Sequence, residues 1–135
     1  MGQGYKNSLL SHPSTRVLIA EEDKIVADLL SLTLQEIGCQ VRVTSQEAQI
    51  RDGLLRWKPD LLLLDLFLPG CSGLDLLREF KTLGDRLKRP IPILIISALG
   101  FREVVEQARE MGATDFILKP VDLDVFRQKA LTLLP

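Results

Sequence analysis

Five polar residues stand directly behind short apolar runs. Glu21 and Glu22 follow Val17-Leu-Ile-Ala20, Asp65 closes Leu61-Leu-Leu-Leu64, Ser97 closes Ile93-Leu-Ile-Ile96, and Lys119 closes Phe116-Ile-Leu118. Three carboxylates gathered in one crevice repel one another and do not all stay ionised without a counter-charge. Lys119 supplies one positive charge, and a bound cation is the natural remainder. Ligands that are all oxygen, with room for water, favour Mg²⁺ over zinc or iron. Singly, each residue has an ordinary structural role: acids at a helix start serve the macrodipole, an Asp after a strand caps or turns, and Ser97 can cap the helix that follows. The coincidence at four strand ends is what points to chemistry.

The apolar runs themselves read as strands. Three of them are continuously apolar, as in a parallel sheet covered on both faces, while Val41-Arg-Val43 alternates like an edge strand. Phe116-Ile-Leu118 is the fifth and stops at Lys119-Pro120. Between the runs the period changes to 3.6. Val26, Leu29, Leu30, Thr33 and Ile37 form one stripe, closed by Gly38. Leu76, Leu77, Phe80 and Leu83 form another, with Gly84 after it. Phe101, Val104, Val105, Ala108 and Met111 form a third, stopped by Gly112, and Phe126, Ala130, Leu133 and Leu134 mark the last. Residues 46–57 are less regular and read as helix. Five such units imply an α/β fold with a doubly wound, five-stranded parallel sheet. Ligands of such sheets bind beyond the carboxyl ends of the strands, where strand order reverses. For the order 2-1-3-4-5 that point lies between strands one and three, so Glu21, Glu22 and Asp65 converge there, with Ser97 and Lys119 on the next strands out.

Composition narrows the field. A chain of 135 residues, 46% apolar and 26% charged, supports one ordinary core. Seventeen basic residues against eighteen acidic give a net charge of −1, with no electrostatic footprint for nucleic acid or an anionic membrane. Leu61 to Leu64 is typical of the longest apolar runs, far short of the ~20 residues of a membrane span. The N-terminus lacks a signal-peptide pattern, so a cytoplasmic location is expected. Residues 1–15 read as an arm or linker and hold the one histidine, His12, which excludes a His-based metal site or triad. Cys39 and Cys71 have neither metal-like nor redox-like spacing and are expected to be reduced and unpaired.

Four blocks in register carry a family resemblance: Val-Leu-Ile-Ala-Glu-Glu-Asp23, Pro59-Asp-Leu-Leu-Leu-Leu-Asp-Leu-Phe-Leu-Pro-Gly-Cys-Ser-Gly73, Ile-Ile-Ser-Ala98 and Gly-Ala-Thr-Asp-Phe-Ile-Leu-Lys-Pro120. The sequence resembles a receiver domain of the two-component response regulators, with a flavodoxin-like receiver fold over residues 16–135. The resemblance implies that Asp65 is the phosphoacceptor, taking its phosphoryl group from a sensor histidine kinase or a phosphotransfer protein. Glu21, Glu22 and Asp65, with the Phe67 carbonyl, would hold Mg²⁺. Ser97 would bond the phosphoryl group, Lys119 would offset its charge, and Ser97 with Phe116 would form the switch. Such a domain catalyses only its own phosphorylation and dephosphorylation and passes the change to an effector or its own output domain. The chain itself would contact neither DNA nor membrane, and the resemblance admits a phosphorylation-dependent homodimer.

The family's second acidic position is normally Asp, and here it is Glu22, one methylene longer. Mg²⁺ demands near-octahedral geometry at about 2.0–2.1 Å, so this departure bears on metal affinity. It also supports the alternative of a non-phosphorylated pseudo-receiver acting as an interaction module. Nucleotide folds of the same architecture are set aside, because Ala-Glu-Glu-Asp stands where G-x-G-x-x-G or a P-loop would be. A self-contained aspartyl-phosphate phosphatase is set aside because Phe67 takes the place of its second Asp. Three further expectations follow from the resemblance. Lys119-Pro120 is cis. Signalling runs through the fourth helix, fifth strand and fifth helix. Phe67 and Leu99 flank the path of the water that hydrolyses the phosphoryl group.

Overall fold

The computed structural model describes residues 15–135; the arm, His12 included, lies outside the described residues except for Thr15. Thr15 is buried and its carbonyl accepts the Gln40 N–H at 2.8 Å, so the packed body is already present one residue before the expected start. Strands and helices alternate: β1 Arg16–Ala20, α1 Lys24–Glu36, β2 Gln40–Thr44, α2 Glu47–Asp52, β3 Leu61–Asp65, α3 Gly73–Arg86, β4 Ile93–Ser97, α4 Arg102–Glu110, β5 Asp115–Leu118 and α5 Leu123–Leu133. All strands are parallel in the order β2-β1-β3-β4-β5.

The period-2 alternation of side chains across the strands builds two cores. Leu18, Ala20, Leu62, Leu64, Ile93 and Ile95 face α2, α3 and α4, meeting Ile50, Leu77, Phe80 and Ala108. Val17, Ile19, Leu61, Leu63, Leu94 and Ile96 face α1 and α5, meeting Leu30, Leu34, Phe126 and Ala130. Every residue of β3 and β4 is buried, which accounts for their unbroken apolar runs. Fully burying a side chain of this size contributes roughly 1.5–3 kcal/mol, so these strands anchor the sheet. Edge strand β2 is buried at none of its residues, as its alternation predicts. Among the described residues no helix is long and apolar enough to cross a membrane.

Four details depart from the sequence reading. The α1 stripe turns slightly: Ala27, Leu30, Thr33 and Leu34 are buried, while Leu29 is 44% exposed. Phe101 is the N-cap residue of α4 and 64% exposed rather than part of its buried face. Gly84 does not end α3 but lies inside it, because the helix there packs against the following chain, where a Cβ would sit 3.3 Å from the Arg89 carbonyl oxygen. Residues 46–57 are helical in two forms: α2 passes into a π turn, Gly53–Trp57, that ends at Lys58 in the left-handed region (φ 56°). Trp57 is thereby buried, with the Arg42 guanidinium 4.6 Å from its ring centre. The Lys119–Pro120 bond is cis, and both cysteines are free.

Candidate functional site

Sheet register brings the strand ends to one level. Ala20 pairs with Leu64, so the next residues, Glu21 and Asp65, emerge side by side; Asp65 pairs with Ile96, and Ser97 with Leu118. Neighbouring parallel strands are about 4.8 Å apart, close enough for their terminal side chains to touch. The chain turns away immediately after each strand. Asp23 caps α1 by accepting the Ile25 and Val26 N–H groups, and Ser72 caps α3 by accepting from Asp75. The result is an open cleft of about 460 Å³ lined by Glu21, Glu22, Asp23, Ile25, Asp65 and Lys119, among others.

Three of the expected residues are in direct contact. Lys119 Nζ lies 2.7 Å from Glu21 Oε1 and 3.0 Å from Asp65 Oδ2. Both carboxylates are buried, Glu21 at 3% and Asp65 at 7% exposure, so their mutual repulsion is poorly screened. Burial pushes the Glu21 carboxyl above its ordinary value; Lys119 and the Asp23 N–H pull it down, Asp65 adds to the rise, and the net shift is upward. Burial alone would lower the Lys119 ammonium, but the two carboxylates outweigh it and hold it above its ordinary value. The remaining oxygens meet backbone: Asp65 Oδ1 accepts from Phe67 N at 2.9 Å, and Glu21 Oε2 from Asp23 N at 3.0 Å.

The other expected residues surround this centre. Glu22 lines the cleft but is exposed. Ser97 is fully buried, and its hydroxyl oxygen accepts from Leu99 N at 3.1 Å, so it caps the turn ahead of α4. Its carbonyl accepts the Lys119 N–H at 2.8 Å, tying the ends of β4 and β5 together. Phe116 lies on β5 opposite Ile95, half-buried against the α4 side of the core. Phe67 and Leu99 are 55% and 39% exposed. Sequence reasoning missed the double role of Asp23, whose side chain caps α1 while its N–H holds Glu21. The signal was present, since Asp one residue before an amphipathic stretch is a standard N-cap.

The donor set is all oxygen. Among the described residues no three acidic, His or Cys side chains lie close enough together to hold a metal ion as they stand. Glu21 Oε1 nevertheless fits such a ligand: it is buried, and its contact with Lys119 is not a directed hydrogen bond.

A doubly wound sheet in this order, with two buried carboxylates and a lysine at its switch point, is the architecture of the receiver class of α/β domains. The chain belongs to the response regulator receiver domain family, whose family model matches residues 17–131. The phosphate regulon transcriptional regulatory protein PhoB of Pseudomonas aeruginosa is 34% identical over 104 residues, covering 77% of this chain and 44% of that protein. Sporulation initiation phosphotransferase F of Bacillus subtilis is 27% identical over 120 residues, covering 89% of this chain and 94% of that one. Among solved structures, a putative response regulator from Chloroflexus aurantiacus J-10-fl superposes with a TM-score of 0.79 at 26% identity, over 89% of this chain and 97% of that chain. The chain spans about half the length of most of the curated relatives it matches.

Proposed function

We propose that this domain accepts a phosphoryl group on Asp65 from a phosphohistidine of a histidine kinase or phosphotransfer protein. The observation that carries this reading is the Asp65 carboxylate at the floor of an open cleft, with Lys119 at 3.0 Å and Glu21 beside it. An Asp65 oxygen attacks phosphorus, the P–N bond breaks, and its electron pair returns to the donor imidazole. Glu21, Glu22, Asp65 and the Phe67 carbonyl would hold Mg²⁺, which when bound neutralises charge on the transferring group. Lys119 adds a second positive charge. The Ser97 hydroxyl donates to a phosphoryl oxygen, and Phe116 follows it inward, altering the surface of α4, β5 and α5. The domain catalyses only its own phosphorylation and dephosphorylation, and the readout is a partner or an attached output domain.

A protein donor is supported by the solvent face of α1. Ile25, Leu29 and Leu32 are 73%, 44% and 57% exposed, and Ile25 also lines the cleft. An apolar stripe running up to a charged pocket suits docking of a protein partner. The test is intact-mass measurement after incubation with acetyl phosphate and Mg²⁺. A single phosphoryl increment that disappears in Asp65→Asn is expected, and an increment retained by that variant refutes the assignment. The pseudo-receiver reading has one observation in its favour, the exposed Glu22 in place of Asp; no increment at all would favour it.

A further inference from the structure

Each of the four oxygens of the buried carboxylate pair faces a donor, three through hydrogen bonds and Glu21 Oε1 through an ion pair alone. Glu21 Oε2 and Asp65 Oδ1 accept from the backbone of Asp23 and Phe67, at 3.0 and 2.9 Å. Glu21 Oε1 and Asp65 Oδ2 share the Lys119 ammonium, at 2.7 and 3.0 Å. Asp23 is half committed, because its Oδ1 caps α1 through Ile25 and Val26. Glu22 alone among these acids makes neither a hydrogen bond nor an ion pair, and it is exposed at the cleft rim. A cation entering the cleft meets one wholly free carboxylate, that of Glu22, and to reach the buried pair it must compete with the Lys119 ammonium for the same oxygens.

The backbone donors are fixed by the turns that follow β1 and β3, whereas Lys119 sits on a flexible four-carbon stem with 21% of its side chain exposed. Its two contacts are also unequal. The bond to Asp65 is a directed hydrogen bond, while the contact with Glu21 Oε1 is not. Glu21 Oε1 is therefore the oxygen most easily surrendered.

We propose that Lys119 is the resident counter-cation of the Glu21–Asp65 pair, and that a divalent ion loads by exchange, landing on Glu22 and displacing the ammonium from Glu21. Lys119 then holds metal affinity below what the same carboxylates would give without it. Glu22, one methylene longer than the family's Asp, is the capturing arm. The inference rests on the metal-dependent reading of the site, but its test needs no phosphorylation.

Calorimetric titration of the whole chain with MgCl₂ provides that test. Lys119→Met should bind Mg²⁺ at least tenfold more tightly than the parent, about 1.4 kcal/mol. Lys119→Arg, which keeps the charge, should stay within about threefold of the parent. Lys24→Met removes a charge from the same cleft, but from a side chain ion-paired to Asp28 instead of the buried acids, so it should also stay within about threefold. Glu22→Gln should weaken binding in both the parent and the Lys119→Met background. In the unaltered protein, the Lys119 Nζ resonance should move as Mg²⁺ saturates the site, which keeps the test open if Lys119→Met folds poorly. Equal affinity of parent and Lys119→Met, an equal gain in Lys24→Met, or an unmoved Nζ resonance would overturn the exchange while leaving the metal site itself standing. No Mg²⁺ binding by any of these proteins would overturn both.

Discussion

Gly73→Ala places one methyl group against the segment that carries the site. A Cβ at Gly73 would lie 2.1 Å from the Leu66 carbonyl oxygen and 2.4 Å from its Cα. Nonbonded carbon atoms settle at about 3.5–4.0 Å, so the first turn of α3 must retreat by roughly 1 Å or more. The obstacle is backbone, so no rotamer change relieves it. The retreat would strain the bond from Gly73 N to Leu66 O, now 3.1 Å, and lift Leu76, Leu77 and Phe80 off the sheet. Overpacking costs typically 1–3 kcal/mol, and a clash with backbone belongs at the upper end, at about 3 kcal/mol. For a domain of this size that lowers Tm by roughly 10 °C. Gly84→Ala is the matched control on the same helix. Its Cβ would stand 3.3 Å from Arg89 O, a tight but nearly ordinary contact, and alanine gains about 0.8–1.0 kcal/mol of helix propensity. The two effects oppose, and the variant should stay within about 1 kcal/mol of the parent. Urea unfolding followed by Trp57 fluorescence measures both. A Gly73→Ala protein as stable as the parent, or a Gly84→Ala protein equally damaged, refutes the packing argument.

Because Glu21 titrates above its ordinary 4.5 in the folded protein, the native state holds that proton more tightly than the unfolded chain does. Stability of the parent should therefore fall relative to Glu21→Gln as pH rises from 4.5 through the raised value; urea midpoints that keep a constant difference across that window would contradict this. Burial, with Asp60 nearby, pushes the Cys39 thiol up to about 11, while Cys71 is only partly covered in the loop after Asp65. A thiol reagent should label Cys71 alone in the native protein and both cysteines in urea, with rapid native labelling of Cys39 as the contrary result. Phe67→Asn should speed loss of the phosphoryl group about tenfold, by giving the attacking water a partner, and leave its gain nearly constant; unchanged decay of the phosphorylated species would show that the ring shields nothing.

The fold was legible because burial and pattern agree. Strands covered on both faces must be apolar throughout, and Leu61 to Leu64 and Ile93 to Ile96 are; an edge strand need only alternate, and Val41-Arg-Val43 does. The site was legible for a related reason. Parallel pairing aligns strand ends, so polar residues just past an apolar run must meet their counterparts, as Glu21, Asp65 and Lys119 do. What local pattern could not convey was tertiary. Gly84 looks like a stop because glycine often ends helices, yet here it marks where α3 passes close to the chain around Arg89. The π turn at Gly53–Trp57 has no signal in a 3.6 period, since one inserted residue only blurs the pattern. The second role of Asp23, its N–H holding Glu21, depends on backbone geometry that spacing alone leaves open.

The remaining misreadings share a direction. Leu29 and Phe101 fit apolar stripes, but the fold leaves both exposed, together with Ile25, Leu32, Phe67, Leu99 and Leu118. A periodic pattern treats every apolar residue as core, because it carries no information about which side of a helix the rest of the fold covers. Several of these residues belong to the site's own margins. Ile25 lines the cleft, Phe67 and Leu99 each lie two positions beyond Asp65 and Ser97, and Leu118 immediately precedes Lys119. Exposed apolar side chains add little to folding stability, so their concentration beside a charged pocket calls for a reason outside the fold. Under the proposed function, a small phosphodonor would need only the carboxylates and the lysine, whereas a protein donor would need a surface to rest on while its phosphohistidine reached Asp65. Replacing Ile25 and Leu32 with Ser should therefore leave phosphorylation by acetyl phosphate unchanged and slow transfer from a phosphohistidine protein; equal slowing of both would tie the stripe to folding rather than to docking.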